Sequence, residues 1–211
     1  MTTNTRAGLA LIIGSIASLA IIGLHPTGQD IVASSMSGGT NALNTGVHAL
    51  AIAAEALMVI GTLGLTVRLA SQRDLVVSAF VVYTLGMITL IVAAIASGLI
   101  ATSVLAGAAG ADAAGRETMM GWFRYTGHVN QAFARVGFGF ASVGIVLWSW
   151  AMIRDGFSRA LGVFGIAAGV AMLAGFVFTE GHLAMHGFGG LVMLGQTAWA
   201  IGAGGILLRQ P

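Results

Sequence analysis

The chain has 211 residues, of which 57% are hydrophobic and only 8% charged, with a formal net charge of +2. Its mean hydropathy is +0.93, whereas a soluble domain carries roughly 25% charged residues, so a water-soluble globule is excluded and lipid is the expected solvent. There is no cysteine, which removes disulfides, thiolate metal sites and dithiol exchange.

Six apolar stretches approach or exceed the roughly 20 helical residues that cross a hydrocarbon core of about 30 Å. They run over 7–24, 47–67, 75–100, 132–153, 160–178 and 187–208. They are continuous runs rich in Ala, Leu, Ile and Gly, not the alternating pattern of an outer-membrane barrel. The expected fold is an all-α integral membrane protein, one domain of six transmembrane helices arranged as three tandem helical hairpins.

The first stretch, with Arg6 ahead of it and small residues near Ala33 and Ser34, has the outline of a signal peptide but is read as a retained span. After it, residues 26–44 are rich in Gly, Ser, Thr and Asn and read as a loop, opened by a turn at His25-Pro26-Thr27-Gly28. The second and third spans follow, separated by a short connection that carries Arg68 and Arg73. Between spans three and four, residues 116–127 mix charges with Met and aromatics. That mixture predicts an outer interfacial helix, or a helical extension of span four. Trp122 and Tyr125 at one level, and Trp148 and Trp150 at the other, read as the two aromatic belts of a spanning bundle.

Arg6, Arg68, Arg73, Arg154, Arg159 and Arg209 all fall at one end of the hairpins. Because Arg-rich short loops stay on the cytoplasmic side, both termini are expected there, with the opposite end periplasmic or extracellular. The arginines are too dispersed for a nucleic-acid patch. The absence of lysine and the abundance of Ala and Gly read as the habit of a bacterial genome, hence an inner membrane.

All five histidines, His25, His48, His128, His182 and His186, fall at the outward end, with Asp30, Asp112, Glu117 and Glu180. Thr45-Gly46-Val47-His48, Thr126-Gly127-His128 and Met185-His186-Gly187 each open a returning helix, although such matches arise readily in a chain rich in Gly and Ala. Neutral imidazole is the commonest metal ligand. The candidate metal or haem ligands are therefore His48, His128 and His186, with His182, His25 and Glu180 in reserve. His182 and His186, four apart, share a helix face, but no HExxH motif is present, so a zincin protease is not supported.

Two ionisable residues lie inside the spans. Glu55 follows His48 by seven residues and Arg135 follows His128 by seven, each about 10 Å deeper on its histidine's stripe. Intramembrane charge costs at least about 2.5 kcal/mol, so a Glu55–Arg135 ion pair is expected beneath a His48–His128 pair, with Gln131 beside it. Gly137, Gly139 and Gly144 in span four are read as close-packing positions.

The leading functional expectation is an outward-facing pocket from spans two, four and six. It would bind Zn, Cu, Fe or haem for redox or metal-dependent chemistry on a lipid-soluble substrate. Two alternatives stand beside it: a proton- or ion-coupled small transporter or channel using Glu55 and Arg135, and a non-catalytic accessory membrane subunit. Ordinary interfacial histidines are the competing account of the cluster.

Overall fold

A computed structural model describes residues 1–36, 41–178 and 188–210. Among these the secondary structure is helical, with no strand. The elements are α1 (Thr3–Leu24), α2 (Gly28–Met36), α3 (Ala42–Arg68), a 3₁₀ turn (Ala70–Gln72), α4 (Arg73–Ala94), a π-helical segment (Ile95–Ile100), α5 (Ala101–Ala109), α6 (Ala113–Asp155), α7 (Arg159–Phe178) and α8 (Phe188–Arg209). Five helical stretches are long and apolar enough to cross a membrane: Thr3–Leu24, Ala42–Arg68, Ala70–Ala109, Ala113–Asp155 and Arg159–Phe176. The 22-residue α8 is a sixth long helix.

The six long helices pack in chain order: α1 on α3, α3 on α4, α4 on α6, α6 on α7, α7 on α8, and α8 back on α1. The bundle therefore closes on itself. Each expected hairpin pair, α1/α3, α4/α6 and α7/α8, is a packed neighbour pair.

Lipid gives apolar helices little reason to prefer one another, so close backbone approach does much of the work of association. At the seam that closes the bundle, a Cβ on Gly8 would sit 2.7 Å from the Gly204 carbonyl oxygen, and one on Gly204 would sit 2.7 Å from that of Gly8. Only two glycines allow that crossing. Gly137 and Gly144 play the same part between α6 and α4, against Leu90 and Tyr83 respectively, as expected of helix packing.

At the arginine-bearing end the interior is solid. Leu11, Leu65, Leu69, Trp148, Met152, Trp199 and Leu207 are all fully buried. Trp148 stacks on Trp199 with centroids 6.2 Å apart and meets Tyr83 edge-on at 5.2 Å, while its Nε1 donates to Thr66 Oγ1 at 3.1 Å. Trp148 is thus a core residue and not a belt aromatic; Trp150, 51% exposed, fits the belt. Below this core, Arg68 bonds Gln210 Oε1 through Nε at 2.6 Å, pairs with Asp155 at 3.5 Å, and lies 5.5 Å from the Phe157 ring centroid. Ser71 donates to the same aspartate. One guanidinium so joins the ends of α3, α6 and α8.

The histidine-bearing end corrects the sequence reading at one point and decides between its two alternatives at another. First, residues 26–44 are not all loop. Thr27 and Asp30 form a reciprocal cap in which Asp30 Oδ2 accepts from Thr27 N (2.9 Å) and Oγ1 (2.7 Å), while Thr27 Oγ1 accepts from Asp30 N (3.2 Å). This capping box starts α2, which packs against α5. Second, residues 116–127 form no separate interfacial helix. They are continuous with α6, whose 43 residues span about 64 Å, twice the apolar thickness of a bilayer. Asp112 caps it, accepting from Gly115 N at 2.8 Å. The 40-residue stretch Ala70–Ala109 runs beside it, so with the arginine ends aligned this pair extends well past a membrane at the histidine end.

Two outcomes follow. Gly8→Val wedges the α1–α8 seam and should cost about 1–3 kcal/mol, the usual range for overpacking, read as a lowered unfolding midpoint in detergent. Because the chain has no cysteine, Thr118→Cys provides a single thiol on the α6 extension. It should label fully with a membrane-impermeant maleimide added to the histidine side, and a thiol at Ile145, 2% exposed, should not.

Candidate functional site

Above the tryptophan floor the bundle opens into a chamber of about 180 Å³. It is lined from α1, α3, α4, α6 and α8, with α7 packed behind. Most of its wall is apolar, including Met58, Met87, Leu90 and Phe138; the polar groups are few. Glu55, His48 and His25 carry its titratable chemistry, and Tyr83, Asn130, Gln131, Gln196 and Thr197 add hydrogen-bonding groups.

Glu55 lies 13 residues before Arg68, hence about 20 Å from the arginine end of α3. The residue is half-buried and lines the chamber, and its carboxyl has no hydrogen bond or ion pair among the described residues. The expected Glu55–Arg135 pair is not formed: the ion pair among the described residues is Arg68–Asp155. The reason is lateral. Toward the chamber α6 presents Gln131, Ala134 and Phe138, and Arg135 lies off that face. Glu55 belongs to the chamber and Arg135 to a second, outer cavity.

His48 pairs with His25, not with His128. The two rings meet edge-on with centroids 5.0 Å apart, because α1 and α3 are direct neighbours. His48 Nδ1 lies 2.7 Å from the Asn44 carbonyl oxygen, and His25 Nδ1 lies 2.9 Å from that of Pro26. A carbonyl accepts only, so in the neutral ring each Nδ1 carries the proton and Nε2 is the basic nitrogen.

The backbone under His48 is unusual. Residues 95–100 form a π-helical segment, a feature that frees carbonyls and recurs at functional sites. Side chains of α3 and α5 take up those carbonyls: Asn44 Nδ2 donates to Ser97 O (3.0 Å), and Thr102 Oγ1 donates to Gly98 O (2.7 Å). Asn44 Nδ2 also donates to Thr102 Oγ1 at 3.0 Å. A side chain at Gly98 would overlap the Cβ and Cγ of His48. His48 is therefore seated on bare backbone.

The outer cavity, about 680 Å³, lies between the end of α1, α2, α5 and α6. It shares His25, Asn130 and Gln131 with the chamber, so the two are contiguous. His128 lines this outer cavity together with Arg124 and Arg135. Gln131 stands at the junction, sharing the outer cavity with His128 and Arg135.

His182, His186 and Glu180 lie outside the described residues. Among those described, no three His, Asp or Glu side chains gather at one point as metal ligands. The sequence reading missed Gln196, whose Nε2 donates to Ser142 Oγ at 2.8 Å across the bundle. It also missed the Asn44–Thr102 bracket. A lone Gln in a hydrophobic run, as at 196, is the signal that pointed to the first.

The fold and site define a class, a closed bundle of long apolar helices around a largely apolar chamber that holds a few polar and titratable groups. Compared with protein-family models, with curated proteins and with solved structures, the chain matches none.

The bulge and cap can be tested. Gly98→Ala should cost about 1–3 kcal/mol by overpacking, and the cycle with His48→Gly should show coupling of at least about 0.5 kcal/mol, as for residues in direct contact. Asp30 is fully exposed, and its bonds to the Thr27 side chain and backbone hold its carboxyl below the usual 3.8. A depressed folded value means the cap contributes fully above the unfolded value and is lost as pH falls through the folded one. Protection factors of α2 amides should therefore drop below pH 3.8 in the wild type, and be low and pH-independent in Asp30→Asn.

Proposed function

We propose that this chain is a bacterial inner-membrane protein of six spans, α8 being the sixth, and that it moves protons or a proton-coupled ion through the chamber. The arginine-bearing end is read as cytoplasmic from the positive-inside rule, which puts both termini there and the histidine end outward. Asn4 Nδ2 reaches the Gln210 carbonyl at 3.5 Å, so the two termini share an end, as this topology needs.

The observation that carries the reading is Glu55: one carboxyl, without a partner among the described residues, on the wall of a largely apolar chamber. A structural carboxylate inside a membrane is normally paired, so an unpaired one is the mark of a group that exchanges its proton. The His25–His48 pair stands about 10 Å above it along α3, where the chamber joins the outer cavity. The chamber has room for several waters, enough to link imidazole and carboxyl. With Nδ1 held by the Asn44 carbonyl, His48 accepts a proton at Nε2 and passes it inward. The Trp148–Trp199–Tyr83 floor closes the route on the arginine side, so a complete cycle requires that floor to open.

A second reading keeps the metal or haem site, and the Nδ1 bonds of His48 and His25 to backbone carbonyls favour it. That arrangement is how ligating imidazoles are oriented with Nε2 toward a metal. In this reading His25 and His48 supply two ligands to Zn, Cu or Fe, and His182, His186 and Glu180, which lie outside the described residues, are the further candidates. His128 is not part of this set. A haem held between two opposed imidazoles does not fit rings whose centroids are 5.0 Å apart.

Proton flux separates the two. In liposomes loaded with a pH-sensitive dye, wild-type protein should dissipate an imposed pH gradient, and Glu55→Gln should reduce the rate at least about tenfold while retaining its unfolding midpoint. Equal rates in the two proteins would reject the proton pathway. Metal analysis of the same preparations serves the second reading: near-stoichiometric metal lost in His25→Ala/His48→Ala supports it, and equal content in both proteins refutes it.

A further inference from the structure

The outer cavity carries charge that the proton pathway does not use. Arg124, His128, Gln131 and Arg135 follow one another on α6 at steps of four, three and four, so they form one stripe along a helix face. All four line the cavity. None of the described residues lining it is acidic, and the carboxylate of Asp30, on the neighbouring α2, is bonded to Thr27. Neither Arg124 nor Arg135 has an ion pair among the described residues.

Arg135 is the deepest of the stripe, one turn inward of Gln131. Its Nε is buried and has no hydrogen-bond partner. With no hydrogen bond or ion pair among the described residues to anchor it, the guanidinium keeps its remaining nitrogens for an anion that enters the cavity. The rest of the wall is of another kind: Ile22, Ile31, Ala101 and Phe123 are apolar. The volume of about 680 Å³ is that of a small-molecule pocket and far exceeds the room one hydrated phosphate needs.

We infer that the outer cavity binds an organic anion, a phosphate or carboxylate group attached to an apolar body, with the anionic group on Arg135 and the body against Ile22, Ile31 and Phe123. Arg124 at the rim draws the anion in and contributes less once it is bound, since an exposed cation acts in high dielectric. The inference is independent of whether Glu55 carries protons. The anion can come from an anionic lipid of the outer leaflet or from a soluble amphiphile.

Decyl phosphate, titrated into protein purified in a neutral maltoside detergent and followed by calorimetry, tests the site. Wild type should bind it saturably at one site, and Arg135→Gln should weaken binding at least about tenfold, the scale of one lost charged hydrogen-bond set. Arg124→Gln, at an exposed position where folding is not at stake, should weaken it only about threefold. Inorganic phosphate should compete poorly, because it lacks the apolar body. Native mass spectrometry from nanodiscs of phosphatidylglycerol and phosphatidylcholine distinguishes the sources. Retained phosphatidylglycerol, lost in Arg135→Gln, identifies a lipid ligand, and decyl phosphate binding without lipid retention identifies a soluble one. Decyl phosphate that does not bind wild type, or binds Arg135→Gln and Arg124→Gln as well as wild type, overturns the inference.

Discussion

Closure of the helix ring by α8 against α1 is the constraint on which the interior depends. In a bilayer, a carboxyl on α3 has two possible neighbours, lipid or protein, and only a closed ring removes the first. Closure occurs where Gly8 and Gly204 let two backbones touch. From that contact follow the burial of Trp199 and the enclosure of Glu55. Helices in lipid gain little from merely hiding apolar surface, so a backbone approach of this kind carries much of the association.

The interior is divided by polarity as well as by volume. At the arginine end indole, thioether and leucine side chains fill the bundle, and charge is confined to the rim, where Arg68 ties three helix ends together. Toward the histidine end the same helices carry Glu55, Gln131, Gln196 and the imidazoles, and the packing opens. Polar groups inside a membrane need partners or water. The bracket of Asn44 and Thr102 around the π-helical carbonyls meets that need with protein, whereas Glu55 leaves it to the chamber.

Composition made the long helices legible, because length and hydropathy are properties of one segment at a time. Lateral position was not. Residue spacing cannot say which way each helix face is turned within the bundle, so it joined Glu55 to Arg135 and His48 to His128, while the fold puts His25 beside His48 and Arg135 in another cavity. The short α2 was legible but overlooked: Thr27 and Asp30 have capping-box spacing ahead of an apolar pair, Ile31-Val32, and a Gly/Ser/Thr-rich context masked it. The 43 residues of α6 outrun any membrane, and a reading that looked for spans divided them.

The π-helical segment at 95–100 amounts to one extra residue in the helical repeat. Each residue of an α-helix turns the chain by about 100°, so everything beyond Ile100 is rotated by that amount relative to an uninterrupted α4. The α5 face that meets α2 and the outer part of α6 is therefore set independently of the α4 face that meets the inner part of α6. A single insertion thus lets one continuous rod present two differently oriented surfaces, one matched to a lipid-embedded neighbour and one to a water-exposed cap, with His48 resting at the joint between them.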